Sequence, residues 1–166
     1  PEGDERIWSI YGLAVTVPSD WRLANFRFLT GYISLKFAKG GESVTVHRWA
    51  MAEYLLSEKD LHDFLIERGS KFLRKAKLEE EPVTIRGHEG LKVEVAHSKG
   101  DEGGGRWRWL KWLIWGRPPK GAEGRRLACV IWHCDKSDKI YAVEMRGGDE
   151  AEELMWRVAR SLRCHE

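Results

Sequence analysis

The sequence predicts an α+β fold in which helices flank a central antiparallel sheet. Between residues 106 and 145, apolar runs are separated by turn residues, which is typical of an antiparallel meander. Over residues 57–75, and again after Asp149, apolar residues instead recur at helical spacing. Strands that run together, with the helices segregated from them, indicate a layered fold.

The chain is expected to form a single α+β domain, residues 1–166, because no linker, repeat or low-complexity segment divides it. Hydrophobic residues make up 42% and charged residues 33%, the balance of a soluble globular protein. No apolar run reaches the roughly 20 residues that span a bilayer, and no signal-peptide pattern opens the chain. We therefore expect a cytoplasmic rather than a secreted protein.

The composition also predicts a hyperthermophilic source. The chain has one Asn and no Gln, beside 28 Lys and Arg and 26 Asp and Glu. Hyperthermophile proteins typically have few thermolabile amide side chains and many charged side chains of both signs. Intracellular disulfides occur in such organisms, which bears on the three cysteines.

The N-terminal third is predicted to be mostly strands. Residues 4–6 are expected to form a polar lead-in. Residues 23–28 are ambiguous, because they fit neither the helical nor the strand period. Apolar alternation predicts strands at residues 11–17, 33–37 and 44–49. A Pro-Ser-Asp-Trp turn ends the first of these strands, and a Lys-Gly-Gly-Glu turn joins the other two into a hairpin.

A helix is predicted next, at about residues 57–75. Ser57 followed by Asp60 resembles a capping box. Gly69 weakens the helix, because glycine in a helix interior costs about 1 kcal/mol relative to alanine. The apolar stripe of this helix comprises Leu61, Phe64, Leu65 and Phe72.

Residues 82–86 and 91–95 alternate and flank a Gly-His-Glu-Gly turn, which predicts a second hairpin. Residues 98–105 are glycine-rich and are expected to form a flexible loop. A phosphate site in this loop is disfavoured, because the loop is acidic and contains neither Gly-Lys-Ser/Thr nor Gly-x-Gly-x-x-Gly.

The C-terminal part begins with residues 106–115, where aromatic enrichment favours a strand over a ten-residue helix. Residues 127–134 and 139–145 complete the predicted meander. Asp149 is the expected N-cap of the last helix, with Glu152 at its third helical position.

Two segments resemble the PsbP-like superfamily. Residues 11–21, Tyr-Gly-Leu-Ala-Val-Thr-Val-Pro-Ser-Asp-Trp, resemble its first hairpin, and the closing Arg160-Ser161-Leu162-Arg163 looks like its terminus. The order of elements in between is compatible over most of the chain. The resemblance implies an α/β/α sandwich built on a central antiparallel sheet, and a non-enzymatic binding or assembly role. It transfers no catalytic residue.

A basic, tryptophan-rich hairpin at residues 106–126 is the candidate binding surface. Seven cations and one acid, Glu123, give it a net charge of +6, against +2 for the whole chain. Proteins that bind single-stranded nucleic acid use cations to contact phosphates and aromatic rings to stack on bases. The favoured alternative is that Arg106 and Arg108 are solvated, and that the opposite face is a core face formed by Trp107, Trp109, Leu113 and Trp115. The candidate residues are Arg106, Trp107, Arg108, Trp109, Lys111, Trp112, Arg117, Lys120, Arg125 and Arg126. Loop 116–126 is predicted to be exposed and mobile.

The cysteines predict a disulfide rather than a metal site. His133-Cys134 and Cys164-His165 resemble a Cys2His2 set, but neighbouring residues on a strand point to opposite faces, which argues against joint ligation. If the last helix crosses the sheet, its end returns to a strand end, so we expect a Cys134–Cys164 disulfide. Cys129 lies on the opposite strand face and is expected to be a buried hydrophobe.

No catalytic signature such as Gly-x-Ser-x-Gly is present, and His47 is expected to project from a strand face rather than act as a catalyst. The leading hypothesis is a non-catalytic binding or assembly module for a protein partner, without a cofactor or a metal. The alternative is nucleic-acid binding by hairpin 106–126.

Overall fold

The structure is a computed structural model that describes residues 4–69, 73, 77–95 and 126–165. Strands β1–β9 span Glu5–Ile10, Leu13–Pro18, Arg22–Leu29, Tyr32–Lys39, Glu42–Ala50, Leu78–Ile85, His88–Val95, Arg126–Cys134 and Lys139–Gly147. Helices α1–α3 span Ala52–Leu55, Leu61–Arg68 and Asp149–Ser161.

Seven strands form one antiparallel sheet in the order β3-β4-β5-β9-β8-β7-β6. Strand β9 pairs with both β5 and β8, so it joins the N-terminal three strands to the later ones. Strands β1 and β2 form a separate two-stranded sheet. The architecture is α+β, as the sequence predicts.

The first face of the large sheet is covered by α3 and the β1–β2 pair. Side chains at alternate positions of each strand point to this face, because successive residues of a strand project to opposite sides. Trp132 and Tyr141 stack on it, with ring centroids 5.6 Å apart. The core here includes Leu13, Val15, Val17, Ile33, Leu35, Phe37, Val130, Val143, Leu154, Met155 and Val158. Leu13, Val15 and Val17 of β2 share one core, in agreement with the apolar alternation that predicts this strand.

The second face is covered by α1 and α2. Phe64 of α2 meets the edge of the Trp49 ring, with centroids 5.1 Å apart. The core on this face also includes Ala52, Leu65, Leu73, Val93, Cys129, Ile131, Ile140 and Ala142. Helices on both faces agree with the sandwich expected from the sequence. Within the described ranges, no helix is both long and apolar enough to cross a bilayer.

Two strands were not recognised in the sequence. Residues 4–6, expected to be a polar lead-in, instead run into β1, and residues 23–28 belong to β3. Neither strand buries every second side chain. Most of β1 and β3 is exposed, so the alternation that marks a half-buried strand is weak or absent there.

The helix predicted at residues 57–75 is shorter and begins later. Asp60, not Ser57, is the N-cap, and its carboxylate accepts a hydrogen bond from the Asp63 backbone N–H at 2.9 Å. The helix ends at Arg68, where the following glycine adopts an extended conformation. Helix α1 was not predicted; its four residues are too few to show a period.

The strands predicted at residues 127–134 and 139–145 are β8 and β9. Asp149 is the first residue of α3 rather than its N-cap; Gly148 is the N-cap and no side chain caps it. The strand predicted at residues 106–115, the loop at 98–105 and nearly all of loop 116–126 lie outside the described residues.

His47 lies on the second face in a stack of three rings. Its ring centroid is 6.1 Å from that of Tyr32 and 5.3 Å from that of Trp49. The Tyr32 hydroxyl is 2.9 Å from His47 Nδ1. Burial in this stack lowers the pKa of His47 to about 4. His47 is therefore neutral at physiological pH and serves packing, in agreement with its expected position on a strand face.

This lowered pKa predicts a loss of stability in acid. Between about pH 6.5 and 4 the unfolded state binds the extra proton, so the stabilisation is complete above pH 6.5 and is lost as the pH falls towards 4. Each pKa unit corresponds to about 1.4 kcal/mol, so we expect a loss of about 1–3 kcal/mol. His47→Phe keeps a ring in the stack and cannot titrate, so urea unfolding near neutral pH and near pH 4 should show a smaller acid loss for the variant. Equal acid losses for both proteins would contradict the assignment.

Candidate functional site

Four side chains that can ligate metals meet at one end of the sheet, on its first face. Cys134 is the last residue of β8, and His88 is the first residue of β7. Cys164 and His165 follow α3. Three segments that are distant in sequence therefore contribute to one cluster, named the Cys/His cluster below.

Local structure explains how His88 reaches the cluster. Strands β6 and β7 are joined by Arg86 and Gly87, whose φ angles of 51° and 83° are both positive, as a type I′ hairpin turn requires. Strand β7 then pairs with β8, and this pairing places Gly90 opposite Trp132. His88 and Cys134 each lie two residues beyond this pair, on the same face of the sheet.

The four ligand atoms are close together. Cys164 Sγ lies 3.3 Å from His88 Nε2 and 3.3 Å from His165 Nδ1. Cys134 Sγ is also 3.3 Å from His165 Nδ1. All four ligand atoms lie within 4.8 Å of one another. The thiols are buried and the two imidazoles are partly buried, with their rings perpendicular and 5.3 Å apart.

Burial governs the ionisation of the cluster. Desolvation lowers the pKa of His88, and the neighbouring His165 lowers it further. Desolvation likewise raises the pKa of the Cys164 thiol, and the nearby Cys134 thiol raises it further. Both shifts favour the neutral forms, because a buried charge without a compensating partner is unfavourable.

The structure brings Cys134 and Cys164 together, as the geometry of the last helix predicts, with both as free thiols. The expected disulfide between them stays a prediction. Cys134 Sγ instead lies 3.9 Å from the Cys164 carbonyl oxygen. Each thiol has an imidazole nitrogen at 3.3 Å, so the sulfurs are oriented towards the histidines.

His133 lies on the opposite face of β8 from Cys134, as the sequence predicts, but a Cys2His2 set does not need His133. His133 points away from the cluster, and its Nδ1 lies 3.0 Å from an Asp135 carboxylate oxygen. The second imidazole comes from His88, which sequence reasoning assigned to a hairpin turn alone. The only signal was its place next to that turn, because the pairing of β7 with β8 joins segments more than 30 residues apart.

The predicted basic hairpin cannot be placed. Arg106, Trp107, Arg108, Trp109, Lys111, Trp112, Arg117, Lys120 and Arg125 lie outside the described residues, so their role stays a prediction. Arg126 is described, at the start of β8. Its guanidinium forms ion pairs at 2.7 Å with Asp149 and with Glu152 of α3. This arginine thus helps to fix α3 on the sheet.

A second feature lies at the β3 edge of the sheet. Phe26 and Phe28 stack with ring centroids 5.1 Å apart, and Tyr11 of the β1–β2 turn meets Phe28 at 6.1 Å. Their exposed fractions are 56% for Phe26, 39% for Phe28 and 76% for Tyr11. We call these three residues the aromatic edge.

The opposite edge of the sheet is built differently. Strand β6 carries three consecutive exposed acids, Glu79 to Glu81, followed by Pro82. Charges and proline on an edge strand discourage pairing with other chains. Strand β3 has two arginines and no acid or proline, and within the described residues it pairs on one side only. Among the described residues, therefore, only the β6 edge carries these protective features.

Comparison with known proteins supports the fold. No family model matches the chain, and no curated protein matches it. Among solved structures, it is similar to the Ran-binding protein Mog1p of Saccharomyces cerevisiae, with a TM-score of 0.52 and 12% identity over 98% of this chain and 96% of that one. The likeness supports the α+β fold and does not assign the chain to a family.

Proposed function

We propose that this protein is a non-catalytic module that binds a partner protein along strand β3. The observation that carries the proposal is the aromatic edge, formed by Tyr11, Phe26 and Phe28. Exposed aromatic residues are enriched at protein interfaces, where they supply much of the binding energy. An edge strand adds unpaired backbone N–H and C=O groups, to which an extended segment can pair as a further strand.

Two further observations support the proposal. The contrast between the acidic, proline-containing β6 and the aromatic β3 is expected if one edge must avoid partners while the other receives one. The structural neighbour Mog1p is described as a Ran-binding protein, so at least one protein of this fold engages another protein.

The chemistry of the edge indicates what the partner offers. Along β3, Arg27 alternates with Phe26 and Phe28, so the arginine and the aromatic rings project to opposite faces. A matching segment is extended, with apolar side chains on the face of the rings and an acidic residue on the face of Arg27. Cross-strand pairs of these kinds each contribute about 0.2–1 kcal/mol.

Selection from a random peptide library displayed on phage should therefore yield extended, apolar and acidic sequences. For the selected peptides, we expect Phe28→Ala and Phe26→Ala each to weaken binding by about 10-fold or more, since aromatic anchors contribute above 1 kcal/mol. Fluorescence anisotropy with labelled peptide measures the dissociation constants. Both side chains are substantially exposed, so thermal unfolding should change little in either variant.

Tyr54→Ala is the control, because Tyr54 is an aromatic residue of α1 with 73% exposure and lies off the edge strand. Its affinity should stay at the wild-type value. Peptides that bind the β3 variants as tightly as the wild type would contradict the proposal. A wild-type dimer in sedimentation analysis that Phe28→Ala dissociates would instead make a second copy the occupant of this edge.

A further inference from the structure

We propose that His88, Cys134, Cys164 and His165 bind one Zn²⁺ ion as a structural site. Two thiolates and two neutral imidazoles are the ligand set of structural Cys2His2 zinc sites. The proposal goes beyond the binding function of β3. It also revises the sequence-based expectation of no metal, which rested on pairing Cys134 with His133.

The spacing of the ligand atoms fits a tetrahedral ion. With Zn–S distances of about 2.3 Å and Zn–N distances of about 2.0–2.1 Å, the ligand atoms of a tetrahedral site lie roughly 3.3–3.8 Å apart. Three sulfur–nitrogen distances in the Cys/His cluster are 3.3 Å, at the short end of this range. The widest separation is at most 4.8 Å, so a shift of about 1 Å closes the set.

The donor atoms select the metal. Soft thiolates with imidazoles favour zinc over calcium and magnesium, which prefer oxygen ligands. Two thiolates also balance the charge of a divalent cation, so a buried site need not hold a net charge. Four protein ligands leave no open position for water, which distinguishes a structural from a catalytic zinc site.

The position of the cluster shows what the ion would stabilise. His88 begins β7 and Cys134 ends β8, whereas Cys164 and His165 belong to the segment after α3. The ion would therefore connect the segment that follows α3 to the end of two neighbouring strands. The same two cysteines were expected to form a disulfide, and an oxidised pair would offer no thiolates to the metal.

The test uses the full chain, purified under reducing conditions, depleted of metal with a chelator and then titrated with Zn²⁺. We expect one tightly bound zinc per chain by elemental analysis. Co²⁺ in its place should give the visible absorption of tetrahedral cobalt and a thiolate-to-cobalt band in the near ultraviolet. Zinc should raise the unfolding temperature by several degrees, because it binds the folded state preferentially.

The chain offers matched controls for the ligand variants. His88→Ala and Cys134→Ala should weaken zinc binding at least 100-fold. Cys129→Ala and His133→Ala, on the opposite face of β8, should bind zinc like the wild type. If the buried Cys134 variant fails to fold, His88→Ala and His165→Ala still decide, because both imidazoles are only partly buried.

Three results would overturn the proposal. The first is substoichiometric, weak zinc binding by the reduced protein. The second is zinc binding that His88→Ala and His165→Ala leave unchanged. The third is a Cys134–Cys164 linkage that persists under the reducing conditions of purification, detected by mass spectrometry after alkylation in denaturant, which would restore the disulfide expected from the sequence.

Discussion

Trp132→Ala is expected to reduce the free energy of unfolding by about 3–5 kcal/mol, the usual range for truncating a buried tryptophan to alanine. Trp132 is fully buried on the first face. Its ring stacks on Tyr141, and the α3 helix covers the surrounding core. The substitution would remove the stacked ring and leave a cavity that the sheet cannot close. Denaturant unfolding monitored by circular dichroism measures the loss.

Trp132→Phe provides a graded comparison. The indole Nε1 of Trp132 is buried and, among the described residues, has no hydrogen-bond partner. Phenylalanine keeps a ring against Tyr141 and removes this unpaired donor, so the variant should lose clearly less stability than the alanine variant. An alanine variant as stable as the phenylalanine one would show that the ring contributes little packing energy.

Gly90→Val is expected to destabilise the protein by about 3 kcal/mol, at the upper end of the usual range for overpacking. A Cβ atom at Gly90 would lie 2.6 Å from the Ile131 carbonyl oxygen and 3.1 Å from Trp132 Cβ. The carbonyl belongs to β8 and cannot move without disturbing the β7–β8 pairing. The clash is therefore with backbone, which has no alternative rotamer.

Gly40→Ala separates this clash from ordinary backbone strain. Gly40 has a φ of 55°, and an added Cβ would meet nothing within 4 Å. Only the left-handed conformation opposes alanine there, at about 1–2 kcal/mol. Unfolding by denaturant should rank Gly90→Val below Gly40→Ala in stability. The reverse order would mean that β7 and β8 are not packed as closely as described.

The sequence predicts the strands that are buried on at least one side. Leu13, Val15 and Val17 alternate because one side of β2 faces the core, and the turn that joins β4 to β5 is marked by two glycines. Strand β3 gives no such signal, because its residues are largely exposed at the sheet edge. The feature on which the proposed function depends was therefore the hardest to recognise.

The Cys/His cluster was predictable in part. The last helix had to return towards a strand end, so the proximity of Cys134 and Cys164 could be inferred. The participation of His88 depends on which strands pair across the long segment between β7 and β8, and local patterns carry no information about that pairing. The single domain, the hyperthermophilic source and the basic tryptophan hairpin at residues 106–126 stay predictions.

The central pairing of the sheet also affects how the chain folds during synthesis. Strands β5 and β9 are neighbours, although about a hundred residues separate them in sequence. At translation rates of about 5–20 residues per second, roughly 5–20 s pass between the synthesis of β5 and that of its partner β9. The sheet cannot be completed until the residues of β9 have left the ribosome. Its folding is accordingly a late event, with β3, β4 and β5 exposed to other nascent chains and to chaperones in the meantime.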